Sequence, residues 1–293
     1  MNDSTGPEPG VADKPCRAER IVLFTLDSLP SGVALHELVA ALEGRVVAIV
    51  ASRRYGGKYG SFVHQAVQNA RRGGWSFLNY LSLEMVWYHP MAEVAHLVNR
   101  LRGRADSVVG LRRLARRHRI PVIATREPNA ADVCERLRRL EPDLFVSFHF
   151  DHVIRAPLRD IPRCGTINVH PGLLPDLRGP FPVLWAMIRA HEVIGVTVHG
   201  IDSDALDAGP VLLQKIVPFD PTEPVQAIHC RLARAGAALA ADAVGAMEAG
   251  TLFPVSQPKE GAYDPYPDRG DIALLKERSG RLFSLRHFVR QFF

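Results

Sequence analysis

No apolar run in the 293 residues approaches the ~20 needed to cross a bilayer, so no membrane partner is expected. The first twenty residues, MNDSTGPEPGVADKPCRAER, lack the apolar core of a secretory signal. They read as a polar leader, disordered through residue 19. Only four cysteines occur, Cys16, Cys134, Cys164 and Cys230, and none forms a CxxC pair. That scarcity argues against both a disulfide framework and a zinc site, and fits a reduced, cytoplasmic setting. No GxGxxG follows either of the first two predicted strands, which disfavours an NAD-binding reading. Internal repeats are absent as well.

What is present is ordinary for a globular protein: 47% hydrophobic and 23% charged residues. The formal charge of +5 and the pI near 9.2 raise the question of a nucleic-acid partner. Much of the basic excess sits in LRRLARRHR, Leu111 to Arg119. This reads first as a solvated helix face, with a phosphate or RNA contact as the alternative. Neither aromatic interleaving nor a known RNA-binding module accompanies it, so no nucleic-acid partner is expected.

Near-continuous apolar runs, Arg20–Ser28, Arg45–Ser52, Ile120–Thr125, Pro142–Phe150 and Gly165–His170, alternate with helical stretches. That rhythm predicts a parallel sheet covered on both faces. Two further strands, Ile194–Asp202 and Gly209–Phe219, precede a long Ala-rich helix from Pro224 to Ala249. The expected fold class is α/β: an open, mostly parallel Rossmann-like sheet with helices on both faces over residues 20–250. A helical insertion interrupts it at about residues 53–106. Its aromatic and basic stretch reads as a packed excursion, with a lid or substrate-contacting role as the alternative. Residues 251–293 read as a small C-terminal appendage.

The segment INVHPGLLPDLRGPFPVLWA, Ile167 to Ala186, carries the clearest chemistry. Residues two apart on a strand face the same way, so Asn168 and His170 project together, roughly 6.5–7 Å apart. Pro171 ends the strand, at the carboxyl end where open α/β sheets place their sites. Asp207, in the loop IDSDALDAGP, supplies a carboxylate if that loop folds back over the strand. Such a trio suits attack on a carbonyl-like carbon. Asn168 and protonated His170 would hold the developing oxyanion, and Asp207 would collect the proton. No nucleophilic serine or cysteine stands beside them, which favours direct transfer or hydrolysis.

These segments, together with GVTVHGIDSDALDAGPVLLQ (Gly195 to Gln214), resemble the signature of the folate-dependent formyltransferases. That family includes glycinamide ribonucleotide transformylase, methionyl-tRNA formyltransferase and sugar N-formyltransferases. The resemblance runs from about Ile120 to Gly250. It implies catalytic roles for Asn168, His170 and Asp207, 10-formyltetrahydrofolate as formyl donor, and no metal. It also implies a pterin site formed by Phe150, Asp151, His152, Val153 and Ile154 facing Asp204, Ala205 and Leu206. A metal reading of His149, Asp151 and His152 finds no second ligand group at suitable spacing.

His199 is expected to be a core or supporting histidine, Trp185 a packing residue, and Arg178 a shaper of the loop beside the site, with an anionic-substrate contact as its alternative. Gly172 stands where relatives often have Ser, a departure expected to matter little. TLDSLPSG, Thr25 to Gly32, lacks the glycine spacing of a phosphate-binding turn, which disfavours the purine-pathway role. The short stretch after Gly250 disfavours the tRNA role. The expected acceptor is therefore a small-molecule amine, an amino-sugar nucleotide or a specialised metabolite. A homodimer is kept open. The alternatives are a formyltetrahydrofolate hydrolase, a methionyl-tRNA formyltransferase-like enzyme, and a non-catalytic folate- or RNA-binding protein.

Overall fold

The computed structural model describes residues 16–53, 60–258 and 263–293. Seven strands form one sheet: β1 (Ile21–Thr25), β2 (Val46–Ser52), β3 (Val122–Thr125), β4 (Leu144–Phe148), β5 (Thr166–His170), β6 (Ile194–Gly200) and β7 (Val211–Val217). Their order is β3-β2-β1-β4-β5-β6-β7. The first five run parallel, and β6 and β7 then alternate in direction. Every residue of β1 and β4 is buried, the state that their unbroken apolar runs predict for central strands covered on both faces. The chain reverses its winding between β1 and β4, and that reversal opens a crevice at their carboxyl ends.

One face of the sheet is covered by α1 (Leu29–Ala41) and the long α7 (Val225–Ala249). Ile21 and Leu23 of β1 pack there with Leu38 of α1 and Ala240 of α7. Gly250 closes α7 in the left-handed conformation (φ 66°), the geometry that favours glycine after a helix. On the opposite face, Val133 and Leu137 of α5 (Ala131–Arg138) pack against Val22, Phe24 and Phe145.

The insertion is helical: α2 (Phe62–Ser82), a π-helical turn over Leu83–Trp87, and α3 (Tyr88–Leu101). Gly74, at φ 77°, kinks α2. Phe77 and Tyr80 of α2 are fully buried in a second core with Leu184 of α6 (Pro182–Ile188) and Leu275 of α8 (Arg269–Glu277). After the insertion comes α4 (Leu111–His118). It buries Leu111, Leu114 and Ala115 and turns Arg112, Arg116 and Arg117 outward. Among the described residues, no helix is long and apolar enough to cross a membrane.

Two sequence expectations are corrected near the termini. Residues 1–15 lie outside the described residues, but 16–19 are ordered against the body rather than part of a loose leader. Ala18 is buried, and the Glu19 amide donates to the Asp143 carboxylate at 2.9 Å. Cys16 and Cys164 form a disulfide across 148 residues, whereas Cys134 and Cys230 are free and buried. No local spacing announces such a pair, because the fold alone brings the leader beside the turn before β5. The segment after Gly250 is continuous with the body. Val255 bridges to Val211, and Phe288 and Phe292, in and just after α9 (Leu285–Arg290), join the main core.

Candidate active site

β5 delivers Asn168 and His170 to the same side of the sheet, as strand periodicity requires. In the antiparallel partner β6, His199 stands opposite Asn168 and Thr197 opposite His170. The β6–β7 loop then folds back, and Asp207 arrives with its Oδ1 3.5 Å from His170 Nδ1 and 3.7 Å from His199 Nε2. The trio expected from the sequence is thus brought together, across 39 residues of chain.

Each member is tethered. The Gly179 amide donates to Asp207 Oδ2 at 2.9 Å. Gly179 sits at φ 115°, where a Cβ would fall 2.1 Å from the Asp264 carbonyl oxygen, so only glycine fits. Asp207 itself adopts φ 50°, a left-handed conformation uncommon for a residue with a side chain. Gln257, from the C-terminal segment, secures it by donating to the Asp207 and Gly209 carbonyls at 3.1 and 2.6 Å. Arg178, nearly fully buried, donates to Gln257 Oε1 and to the Pro258 carbonyl. Arg178 therefore shapes the loop, as expected, and it does so through Gln257, a residue the sequence did not single out.

His170 Nε2 lies 2.6 Å from the Leu177 carbonyl and donates to it. That bond fixes the ring and leaves Nδ1 on the Asp207 side. Room around the ring is tight. A Cβ at Gly172 would lie 2.8 Å from Pro182 Cβ and 2.9 Å from His170 Nε2. A serine at this position would require a shift in the packing around His170. His199 Nδ1 donates to the Gly200 carbonyl at 2.8 Å, so its Nε2 accepts from the Asn168 amide at 3.1 Å. His199 is thus a buried support for Asn168.

Burial is the largest influence on both titrating members. It pushes His170 below its ordinary value, opposed by the Asp207 carboxylate. For Asp207, burial acts upward, but His170, His199 and the Gly179 amide outweigh it and hold the carboxyl well below the usual carboxylate range. The pair therefore keeps an ionised carboxylate beside an imidazole poised to receive a proton at Nδ1.

The trio opens into a cavity of about 250 Å³. Of the residues expected around the pterin, Phe150, Asp151, His152, Val153 and Leu206 line it. Ile154 does not: it is buried in the core beneath α5. Asp204 and Ala205 stand outside the lining, and Asp204 pairs with Arg159 at 2.9 Å. The lining also holds His149, at φ 50° with Nδ1 2.8 Å from the Ser28 hydroxyl, and His229 of α7. Neither belongs to the set expected around the pterin. Among the described residues, no three His, Cys, Asp or Glu side chains cluster to hold a metal ion.

A larger cavity, about 780 Å³, opens at the carboxyl ends of β1 and β2. Arg53, Arg112, Arg113 and Arg116 line it together with Asp27 and His89. The two cavities share a wall. The Leu26 amide donates to the His149 carbonyl at 3.0 Å, and Ser52 Oγ meets His152 Nε2 at 3.1 Å. The stretch read first as a solvated helix face thus also lines a cavity that adjoins the one holding the trio.

Comparison with known proteins defines the class. Residues 99–244 match the family described as "Formyl transferase". This segment is a formyl transferase domain, and the chain's resemblance to folate-dependent formyltransferases extends to curated relatives. It is 34% identical over 180 residues to the methionyl-tRNA formyltransferase of Trichlorobacter lovleyi, covering 61% of this chain and 54% of that protein. The chain thus spans about half the length of the curated relatives it matches. The fold is shared with glycinamide ribonucleotide transformylase 1 from Symbiobacterium toebii, at a TM-score of 0.55 and 17% identity over 82% of this chain and 95% of that one. It is shared as well with the N-formyltransferase of Helicobacter canadensis, solved with folinic acid and dTDP-3-aminofucose (TM-score 0.52, 15% identity, 85% of this chain and 71% of that one). One expectation falls here. The argument against a nucleic-acid partner is overturned by relatives named for methionyl-tRNA. The length of the segment after Gly250 is a poor guide to the acceptor.

Proposed function

We propose that this chain transfers the formyl group of 10-formyltetrahydrofolate to the amine of an aminoacyl-tRNA of the methionyl class. The observation that carries the transfer is the convergence of Asn168, His170 and Asp207 on one wall of the smaller cavity. The folate pterin enters between Phe150, Val153 and Leu206, apolar side chains in a lining that also carries Asp151, His152 and Tyr263 for its polar edge. Its formyl oxygen turns to the Asn168 amide and to His170 Nδ1, which donates to it once the ring takes up a proton beside Asp207. Each such donor is worth about 10²–10³ in rate when aimed at a developing oxyanion. Asp207 stabilises the imidazolium and moves a proton from the attacking amine toward the folate N10 that leaves.

The acceptor reading rests on the relatives' names and on the arginine-lined cavity. Guanidinium groups suit phosphate oxygens in geometry and charge, and Arg53, Arg112 and Arg116 converge on one hollow beside the trio. The test is to incubate the protein with 10-formyltetrahydrofolate and methionyl-tRNA, with methionine methyl ester and an amino-sugar nucleotide in parallel. Formylated methionyl-tRNA, identified by mass spectrometry, is the expected product. Formylation of either small amine at equal efficiency would overturn the acceptor reading. Folate turnover that is indifferent to all three would make the protein a hydrolase.

A further inference from the structure

The nitrogen of an aminoacyl acceptor enters as an ammonium, with a pKa of about 8, and leaves as an amide. It loses two protons in doing so. One goes to N10 of the departing tetrahydrofolate as the N10–C bond breaks and the new N–C bond forms. The other must leave earlier, because only the neutral nitrogen has a lone pair to attack with. Asp207 and His170 account for one of these transfers.

A second acid–base pair reaches the same cavity. Glu84 belongs to the π-helical turn of the insertion and is buried, 2% exposed. A carboxylate so placed is costly unless it is partnered. Its partners are the Tyr80 hydroxyl and His229 of α7, whose Nδ1 donates to Glu84 Oε1 at 3.3 Å. His229 lines the catalytic cavity, and its ring stands edge-on to His149 at 5.1 Å between centroids. With Nδ1 committed to Glu84, the lone pair of the neutral ring lies on Nε2. This repeats the arrangement in which a carboxylate orients a histidine and stabilises its charged form. Single-turn π-helices recur at functional sites, because they shift one side chain out of helical register.

We propose that His229, oriented by Glu84, is the base that removes the first proton from the acceptor ammonium. The proton passes from the acceptor nitrogen to His229 Nε2 and then to solvent. The neutral amine attacks the formyl carbon, and its second proton travels by way of Asp207 to N10. His229 is the catalytic residue of this pair and Glu84 its positioning residue. The inference rests on the transferase reading above and deepens it, assigning the insertion a place in the reaction.

The titratable groups around the pair are Tyr80 on α2, Cys230 and Arg234 on α7, His149 after β4, and His170 with Asp207 on the same cavity. Burial and the Glu84 carboxylate push both Tyr80 and Cys230 upward, out of the working range. The experiment is a pH profile of kcat/KM for methionyl-tRNA with wild type, His229→Asn, His229→Ala and Glu84→Gln. Folate affinity and thermal midpoints are measured alongside. At neutral pH, His229→Asn is expected to lose about 10²-fold and Glu84→Gln about tenfold. Both losses shrink as the pH rises past about 8, where the acceptor amine is neutral unaided. Added imidazole restores part of the His229→Ala activity.

A loss that is equal at every pH and not rescued by imidazole would overturn the proposal and make the pair a structural clamp; an unchanged rate would overturn it too. Asp207→Asn run in the same series separates the two readings. If wild type formylates the acceptor and Asp207→Asn does not, the transferase reading stands whatever His229 does. If wild type formylates nothing, that reading falls and takes the base with it.

Discussion

The two cavities at the carboxyl end of the sheet are held in different ways. In the smaller one, each polar group of the trio has a buried partner: Leu177 for His170, His199 for Asn168, and Gly179 for Asp207, whose backbone the half-buried Gln257 also holds. In the larger one, arginines reach in from α4, whose outer side is open to solvent. Chemistry needs reacting groups fixed to within fractions of an ångström, whereas phosphate recognition tolerates long flexible side chains acting as charges. The proposed function assigns bond-making to the rigid half of this crevice and holding of the acceptor to the adaptable half.

Substitutions in the rigid half are expected to act on kcat, and those in the adaptable half on KM. The largest effect is expected from Asp207→Asn, which removes the charge but keeps the shape. It lowers kcat by about 10²–10⁴, read from tetrahydrofolate absorbance at saturating acceptor, while folate affinity changes little. Gln257→Ala comes next. It leaves the Asp207 and Gly209 carbonyls without their donor, and kcat is expected to fall about tenfold, the scale of removing a positioning partner. An unchanged kcat would show that the loop keeps its left-handed turn unaided.

In the adaptable half, Arg112→Glu and Arg116→Glu are expected to raise KM for methionyl-tRNA more than they lower kcat. Each should reduce the slope of log affinity against log salt by about 1 for every phosphate it no longer neutralises. An equal fall in kcat in these variants would merge the two halves into one.

The smallest effect is on stability. The lowered value of His170 means the fold favours its neutral ring, so stability is full above 6.5 and falls as pH drops below it. The lowered value of Asp207 contributes stability that is present above 3.8 and is lost as pH falls further, through its folded value. Thermal midpoints measured from neutral to acid pH should therefore lose their lower limb in Asp207→Asn and their upper limb in His170→Asn.

Much of the rigid half is legible in the sequence. The apolar runs mark all seven strands, because each central strand is buried on both faces. The i, i+2 spacing marks Asn168 and His170 as facing together. Asp207 follows from the family motif rather than from spacing, since its approach depends on a loop folding back. The remaining partners have no local signal. Glu84 meets His229 across 145 residues, Gln257 meets Asp207 across 50, and Cys16 meets Cys164 across 148. Each joins a segment outside the sheet to the body, and only tertiary packing brings such segments together. The arginines of α4 are legible as a basic run, but their cavity is not. It needs β1, β2 and the insertion to supply the other walls.

The measurement that bears most directly on the trio is a single-turnover experiment with 10-formyltetrahydrofolate labelled in the formyl group. Wild type and Asp207→Asn are mixed with methionyl-tRNA and quenched over time. The proposed function predicts label moving from folate to methionyl-tRNA in wild type, little label released as formate, and transfer slowed at least about 10²-fold in Asp207→Asn. Label released as formate at the same rate with and without tRNA, or transfer unchanged in Asp207→Asn, would contradict the assignment of this site as a formyl-transfer centre.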